Sequence, residues 1–196
     1  MNKKNLKIKD KKTFYNLNQI IENDKGWLFY DAALKNWKSM YKRFLGNNIL
    51  DLGCGSGISI GINKVFDPQK NFVGFEGDKK LNKIWELRKV NVITGDIYKL
   101  PFKNNQFDTV YSSHVLEHLK YPKKAIIESI RVAKKRIIHS VPAGNVNDKN
   151  FGSPHLHIFN RKNFIELFNF KNIEIREFYF LEDIHMSSLI IILDKK

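Results

Sequence analysis

The chain has 196 residues, of which 42% are hydrophobic, so it is long enough for one compact domain and too short for two large ones. Its one cysteine, Cys54, excludes an internal disulfide framework and any zinc site built on several cysteines. No apolar run reaches the roughly 18 residues of a membrane span, and the lysine-rich start lacks the apolar segment of a secretory signal. We therefore expect a cytoplasmic protein without a membrane span.

The formal net charge of +14 raises the question of a nucleic-acid partner, because basic surfaces neutralise phosphates. The excess consists of 28 lysines against 6 arginines. The planar guanidinium group, which commonly recognises bases and phosphates, is therefore scarce. A nucleic-acid partner stays open but is not favoured.

The first 45 residues combine a basic segment with a helical pattern. Residues 1–12 contain six lysines, and apolar residues then recur at spacings of three and four from Lys12 to Leu45. The aromatic stretch between Ala33 and Phe44 is predicted to pack into the core. We assign residues 1–45 to an N-terminal basic arm and helical lid that forms one globular unit with a domain of residues 46–196.

From Asn47 onward, short β-branched segments alternate with helical ones, which is typical of βαβ units. Strands are predicted at Asn48–Leu52, Asn71–Glu76, Val90–Thr94, Phe107–Ser112, Arg136–Val141, Ile173–Phe180 and Ser188–Leu193, and helices at Ile58–Val65, Lys79–Arg88, Pro122–Ala133 and Arg161–Phe168. The last two strands are joined by a short connection and are expected to be antiparallel. The pattern predicts an α/β fold: an open, mostly parallel sheet with an antiparallel C-terminal strand and helices on both faces.

A glycine-rich turn, Gly53–Gly57, follows the first predicted strand, at the sheet edge where ligands of such folds bind. Glycines let the backbone turn sharply and approach a ligand, and the next helix offers free N–H groups. Glu76 ends the second strand 19 positions after Gly57, a spacing at which a carboxylate can accept both hydroxyls of a ribose. These features predict an adenosine-type cofactor. The dinucleotide fingerprint fails at Ile58 and Ile60, and no phosphate-binding Gly-Lys-Ser/Thr follows.

The D-x-G-x-G-x-G segment Asp51–Gly57 resembles the first motif of the class I S-adenosylmethionine-dependent methyltransferases, in their small-molecule branch (methyltransferase domain type 11). Val73–Glu76 resembles the acidic motif of the second strand, Gly95–Ile97 the third motif, and Phe107–Leu119 the fourth strand with the segment after it. The resemblance extends over about residues 45–142. It implies a Rossmann-like fold and S-adenosyl-L-methionine as the cofactor.

The resemblance also implies a role for each matching position. Asp51 and the glycine-rich turn surround the methionine part, and Glu76 holds the ribose hydroxyls. Asp96 bonds the adenine amino group, and Ile97 packs on the ring. The implied cofactor-binding residues are Asp51, Gly53, Cys54, Gly55, Gly57, Glu76, Gly77, Asp96, Ile97, Ser112 and Ser113. Cys54 is interpreted as a packing residue rather than a nucleophile.

The candidate catalytic groups are His114 and His155, because imidazole titrates near neutrality and a hydroxyl or ammonium acceptor needs a base. His114 to His118 also matches the zinc pattern H-x-x-E-H. Its position after a strand of a nucleotide-binding sheet favours the methyltransferase interpretation, so no metal site is predicted. The pair His155 and His157 is interpreted as part of a loop that covers the site.

The expected function is in-line methyl transfer from S-adenosylmethionine to a small-molecule or sugar-linked acceptor. Two alternatives stay open: an RNA methyltransferase that uses the lysine-rich surface, and a non-catalytic cofactor-binding partner protein. Neither the acceptor atom nor the oligomeric state follows from the sequence.

Overall fold

The structure is a computed structural model that describes residues 35–143, 155–183 and 187–196. Its elements in chain order are α1 (35–41), β1 (Asn48–Leu52), α2 (Ile58–Phe66), β2 (Asn71–Glu76), a 3-10 turn (Lys79–Leu81), α3 (Asn82–Arg88), β3 (Val92–Thr94), β4 (Phe107–Ser113), a second 3-10 turn (Leu116–His118), α4 (Pro122–Val132), β5 (Ala133–Pro142), α5 (Arg161–Glu166), β6 (Ile173–Leu181) and β7 (Ser188–Lys195). Within the described ranges, no helix is both long enough and apolar enough to cross a membrane.

The seven strands form one sheet in the order β3-β2-β1-β4-β5-β7-β6. Strands β1 to β5 pair in parallel, and β7 runs antiparallel between β5 and β6. Only residues 182–187 connect β6 to β7, which is too short for the crossover of about a dozen residues that a parallel pair needs. The predicted α/β sheet with its antiparallel C-terminal strand is confirmed. The strand order reverses direction between β1 and β4, and such a switch point is where open sheets bind ligands.

Alternate residues of the central strands supply two hydrophobic cores on opposite faces of the sheet. Leu50 belongs to the core that includes Ile126 of α4. Its neighbour Ile49 belongs to the other core, with Met40 of α1 and Ile60 of α2. The predicted placement of helices on both faces is therefore confirmed, and both faces of the strands near the switch point are covered.

The N-terminal helical pattern is described only in part, because residues 1–34, which include the predicted basic arm, lie outside the described ranges. In α1 and the turn after it, Met40 and Phe44 are buried, and Trp37 stacks on Tyr41 with 5.2 Å between ring centroids. Phe44 in turn packs against Tyr111 of β4, with ring centroids 4.7 Å apart. The predicted core packing of this aromatic stretch is confirmed.

The helix predicted from Lys79 to Arg88 begins as a separate 3-10 turn, because the side chain of Asp78 caps that turn. Helix α3 ends at Arg88, because the next residue, Lys89, has a φ of 52° in the left-handed region. The N–H of Val90 still donates to a carbonyl of α3. Strand β3 therefore begins at Val92 rather than at Val90.

Among the other boundaries that differ from the sequence prediction, the start of β5 and the end of α5 differ by two or more residues for identifiable reasons. Strand β5 begins at Ala133 rather than Arg136, because Ala133 pairs with Phe107 across an irregularity in the ladder. Helix α5 ends at Glu166 rather than Phe168, because the last N–H groups bond three residues back instead of four. Neither change affects the elements that border the switch point.

Candidate active site

The glycine-rich turn after β1 is held against the end of β2. The N–H groups of Gly53 and Cys54 both donate to the carbonyl of Phe75, at 2.8 and 3.1 Å. Gly53 and Gly55 have φ values of 77° and 52°, in the region that favours glycine. A Cβ on Gly53 would also lie 2.5 Å from a methyl carbon of Val115. The turn therefore requires glycine at Gly53 for both conformation and space.

Glu76, at the end of β2, ties this turn to the next loop through its carboxylate. One carboxylate oxygen accepts the N–H of Gly55 at 2.8 Å. The other accepts the N–H groups of Gly77 and Asp78 at 2.7 and 3.1 Å. An ionised carboxylate offers about four lone-pair sites, so Glu76 retains capacity for a ligand hydroxyl.

A cleft of about 530 Å³ opens beside the turn and Glu76. Its lining residues are Gly53, Gly55, Phe75, Glu76, Gly77, Gly95, Asp96, Ile97, His114, Val115, His118 and Leu119. Small-molecule sites typically enclose about 300–1,000 Å³, so a nucleoside is within the size that this cleft can hold. The structure thus brings together the residues that the sequence assigned to ribose and adenine.

A second cavity of about 200 Å³ adjoins the first, and Gly53 lines both. Its lining residues are Trp37, Met40, Asp51, Gly53, Cys54, Ser56, Ile58, Ser59, Ile62, Tyr111 and Ser113. Asp51, Cys54 and Ser113, three of the implied cofactor-binding residues, therefore line the second cavity, whereas Glu76 lines the first.

Asp51 is the acidic group of this second cavity and is buried. Burial raises its pKa to about 6, against the opposing effect of hydrogen bonds that the hydroxyls of Ser59 and Tyr111 donate to it. The Tyr111 bond measures 2.6 Å. Burial, with smaller contributions from Asp51 and Glu76, also raises the pKa of the Cys54 thiol. Cys54 is thus protonated at neutral pH and serves as a packing residue.

Three predicted site residues do not line either cavity. Gly57 has a φ of 77° and precedes α2, where it shapes the turn. The hydroxyl of Ser112 is fully buried and lies 2.7 Å from Nδ1 of His139. His155 lies beside His118, with ring centroids 4.8 Å apart.

His114 lines the cleft but is a weak proton acceptor. Its Nε2 lies 2.9 Å from the hydroxyl of Ser188. Burial, with smaller contributions from the nearby imidazoles of His155 and His118, lowers its pKa to about 3. Its φ of 55° is unusual for a residue with a side chain and is found at functional sites more often than elsewhere. The structure therefore assigns His114 to the wall of the cleft as a neutral ring.

A cluster of polar groups that the sequence did not predict forms around Glu117. Its side chain is 1% exposed, and burial raises the pKa of its carboxyl to about 8. Its backbone carbonyl accepts the N–H groups of Leu156 and His157 at 2.8 and 3.1 Å. This brings His155 next to His118 at the rim of the cleft. The sequence signal existed in H-x-x-E-H, but the structure pairs Glu117 and His118 with His155 instead of His114.

Several further residues support the site without a local sequence signal. Trp85 of α3 donates through Nε1 to the carbonyl of Gly55 at 2.8 Å. The buried Asn36 of α1 donates to the hydroxyl of Ser113 at 3.0 Å. Each partner lies 30 or more residues away in the chain, so spacing within a short motif cannot reveal these contacts.

The residues of the two cavities fit an S-adenosylmethionine-type cofactor. Glu76 offers oxygens for ribose hydroxyls, Asp96 is an exposed acceptor across the cleft, and Ile97 supplies apolar surface. Asp51 adds a carboxyl group on the other side of Gly53, where a positively charged amino-acid part would lie. Gly55, Gly77 and Gly95 also line the first cavity, and because they have no side chains they leave room for a flat ring.

Residues 50–138 match the family model described as a methyltransferase domain. An uncharacterized methyltransferase of Schizosaccharomyces pombe is 37% identical over 102 residues, covering 45% of this chain and 36% of that protein. A tRNA (carboxymethyluridine(34)-5-O)-methyltransferase of Arabidopsis thaliana is 37% identical over 92 residues, covering 45% of this chain and 22% of that protein. A demethylmenaquinone methyltransferase of Renibacterium salmoninarum is 31% identical over 111 residues, covering 56% of this chain and 43% of that protein. The chain thus spans less than half the length of these curated relatives.

The fold is also that of solved methyltransferases. A structure from Thermotoga maritima, described as an S-adenosylmethionine-dependent methyltransferase and possible histamine N-methyltransferase, superposes with a TM-score of 0.72 at 17% identity, covering 93% of this chain and 100% of that one. The family match includes the glycine-rich turn, Glu76 and Asp96. Residues 50–138 therefore match a methyltransferase domain, and the fold of the chain is similar to that of a solved S-adenosylmethionine-dependent methyltransferase.

Proposed function

We propose that the protein transfers a methyl group from S-adenosyl-L-methionine to a small-molecule or sugar-linked acceptor. The observation that carries the proposal is the arrangement around Gly53. Glu76 and Asp96 line one cavity, Asp51 lines the other, and the backbone of Gly53 borders both. This arrangement matches a ligand with a nucleoside at one end and a charged amino acid at the other.

In this proposal, Glu76 accepts the two ribose hydroxyls while Gly55 and Gly77 keep it oriented through their N–H groups. Asp96 accepts the adenine amino group, and Ile97 packs on the ring. Asp51 balances the positive charge of the amino-acid part. When bound, the cofactor supplies a methyl group on a positively charged sulfur, which is already activated for transfer.

The chain's own contribution is alignment and exclusion of water rather than acid–base chemistry. We assign His114 to the wall of the cleft rather than to the role of base, because a pKa of about 3 makes its imidazole a weak proton acceptor. Trp37 and Met40 add apolar wall to the second cavity. Fixing an acceptor next to the bound cofactor replaces a bimolecular encounter by a positioned reaction.

An RNA acceptor is the second candidate, because the net charge is +14 and one relative is named as a tRNA methyltransferase. The two candidates differ in their response to salt. Binding of RNA releases counterions and weakens steeply as salt rises, whereas binding of a neutral small acceptor changes little.

The test is incubation of the purified protein with methyl-labelled S-adenosylmethionine and separated small-metabolite and RNA fractions of a cell extract. We expect label in the small-metabolite fraction, with loss of label in the Glu76→Ala variant. Label confined to RNA would replace the proposal with the second candidate. Tight cofactor binding without label in any fraction would indicate a non-catalytic partner protein.

A further inference from the structure

The carboxylate of Glu117 is buried without the partners that buried charges need. Its side chain is 1% exposed, and among the described residues neither of its oxygens has a hydrogen-bond partner. Nε2 of His118 lies 3.7 Å from Oε1 of Glu117, which is beyond hydrogen-bond distance. Buried polar groups are almost always paired, so an orphaned carboxylate at the rim of a cleft points to a missing cation.

Two imidazoles face the same place as this carboxylate. Glu117, His118 and His155 each offer a ligand atom, and these atoms all lie within 4.8 Å of one another. The His118 and His155 rings meet edge to face at 4.8 Å. A four-coordinate ion with bonds of about 2.0–2.1 Å holds its ligand atoms roughly 3.3 Å apart. Small movements of the three side chains toward one another would therefore bring their ligand atoms within bonding distance of one ion.

The backbone fixes the ligand that comes from a distant segment. The carbonyl of Glu117 accepts the N–H groups of Leu156 and His157, and Nε2 of His157 lies 2.9 Å from the carbonyl of Leu119. His155 is thereby held against the 3-10 turn that carries the other two groups. His118 also lines the cofactor cleft, which gives an ion a route of entry and an open side.

We propose that Glu117, His118 and His155 bind a divalent transition-metal ion at the rim of the cofactor cleft. Two imidazoles and one carboxylate suit zinc, iron(II), cobalt(II) or manganese(II) better than magnesium or calcium, which prefer oxygen ligands. Three protein ligands leave at least one coordination position open. The sequence-based expectation of no metal site is the one that this proposal replaces.

The open position has a chemical use that rests on the proposed methyltransferase function. A metal-bound hydroxyl oxygen loses its proton to solvent more readily than a free one, and the ion holds that oxygen in place. The site therefore favours an acceptor that presents a hydroxyl to the cleft.

The test is titration of the chelator-treated full-length protein with cobalt(II), followed by calorimetry and visible absorption. We expect one equivalent per chain, with absorption bands of nitrogen and oxygen coordination. Glu117→Gln and His155→Asn should each weaken cobalt binding at least tenfold. His157→Gln is the matched control, because its amide can still donate to the Leu119 carbonyl, and it should bind cobalt like the unaltered protein.

Absence of a stoichiometric site in the unaltered protein would overturn the proposal, as would unchanged binding in both Glu117→Gln and His155→Asn. His155 is only partly buried, so its variant tests the site even if Glu117→Gln fails to fold. S-adenosylmethionine affinity measured in parallel separates this proposal from the proposed function. Cobalt binding without cofactor binding would leave the metal site standing and remove the methyltransferase role.

Discussion

Replacing Glu76 by alanine tests the cofactor site most directly, because its carboxylate serves both the protein and the proposed ligand. In the free protein, the change leaves the N–H groups of Gly55, Gly77 and Asp78 without their acceptor. These groups border an open cleft where water can replace the carboxylate. We therefore expect the free energy of unfolding to fall by only about 1 kcal/mol.

The expected loss in cofactor affinity is larger than this loss in stability. In the complex, two ribose hydroxyls lose a charged acceptor inside the cleft, which costs about 1–3 kcal/mol. This corresponds to a weakening of roughly 5- to 150-fold in Kd. Glu76→Gln keeps one oxygen that can accept a hydrogen bond and should lie between the unaltered protein and Glu76→Ala.

The assay is isothermal titration calorimetry with S-adenosylmethionine, together with urea unfolding of each free variant. Glu86→Ala is the matched control, because this glutamate is exposed on α3 and does not line either cavity. An unchanged Kd for a folded Glu76→Ala variant would remove Glu76 from the cofactor site. Equal weakening in Glu86→Ala would show that the effect is one of general charge.

Three further predictions follow from burial, backbone conformation and charge. Burial raises the pKa of Asp51 from 3.8 to about 6, so the folded protein binds this proton more tightly than the unfolded chain, and the contribution to stability is lost as pH rises from about 4 to 6. Urea unfolding should therefore show Asp51→Asn more stable than the unaltered protein at pH 7.5, by up to about 3 kcal/mol, and no more stable at pH 4. A difference in free energy of unfolding that stays the same at both pH values would refute the raised pKa of Asp51. Gly53→Ala should lower the free energy of unfolding by about 2–4 kcal/mol through its φ of 77° and the clash with Val115, whereas Gly61→Ala, in α2 with open space around it, should raise it slightly. Deleting residues 1–9 should leave cofactor affinity and turnover of a small acceptor nearly unchanged; a flatter salt dependence of RNA binding, by about one unit of slope per lost phosphate contact, would favour the RNA candidate instead.

The cofactor side of the site was predictable because its signals are local. Gly53, Gly55 and Gly57 form the turn after β1, and Glu76 ends the next strand. This spacing is typical of sheets that bind a nucleoside at the ends of their strands. The alternation of strands and helices predicted the parallel sheet, and the short connection between the last two strands predicted its antiparallel end. Boundaries such as Val92 and Ala133 shifted because they depend on caps and ladder irregularities rather than on periodicity.

The polar groups at the rim of the cleft depended on contacts that no local pattern records. The pattern H-x-x-E-H includes both His114 and His118, yet Nε2 of His114 lies 2.9 Å from the hydroxyl of Ser188 in β7. The partner of His118 is His155, 37 positions later, which the carbonyl of Glu117 positions through two backbone bonds.

Sequence by itself determined the order of elements, the glycine-rich turn and the class of cofactor, because backbone conformation and side-chain periodicity are properties of neighbouring residues. Only the tertiary structure decided which titratable groups are desolvated. Asp51 lies within β1 and Glu117 lies in the 3-10 turn after β4, and the elements packed around each carboxyl raise its pKa. Desolvation depends on every atom within a few ångströms of the group, and those atoms come from segments that are far apart in the chain.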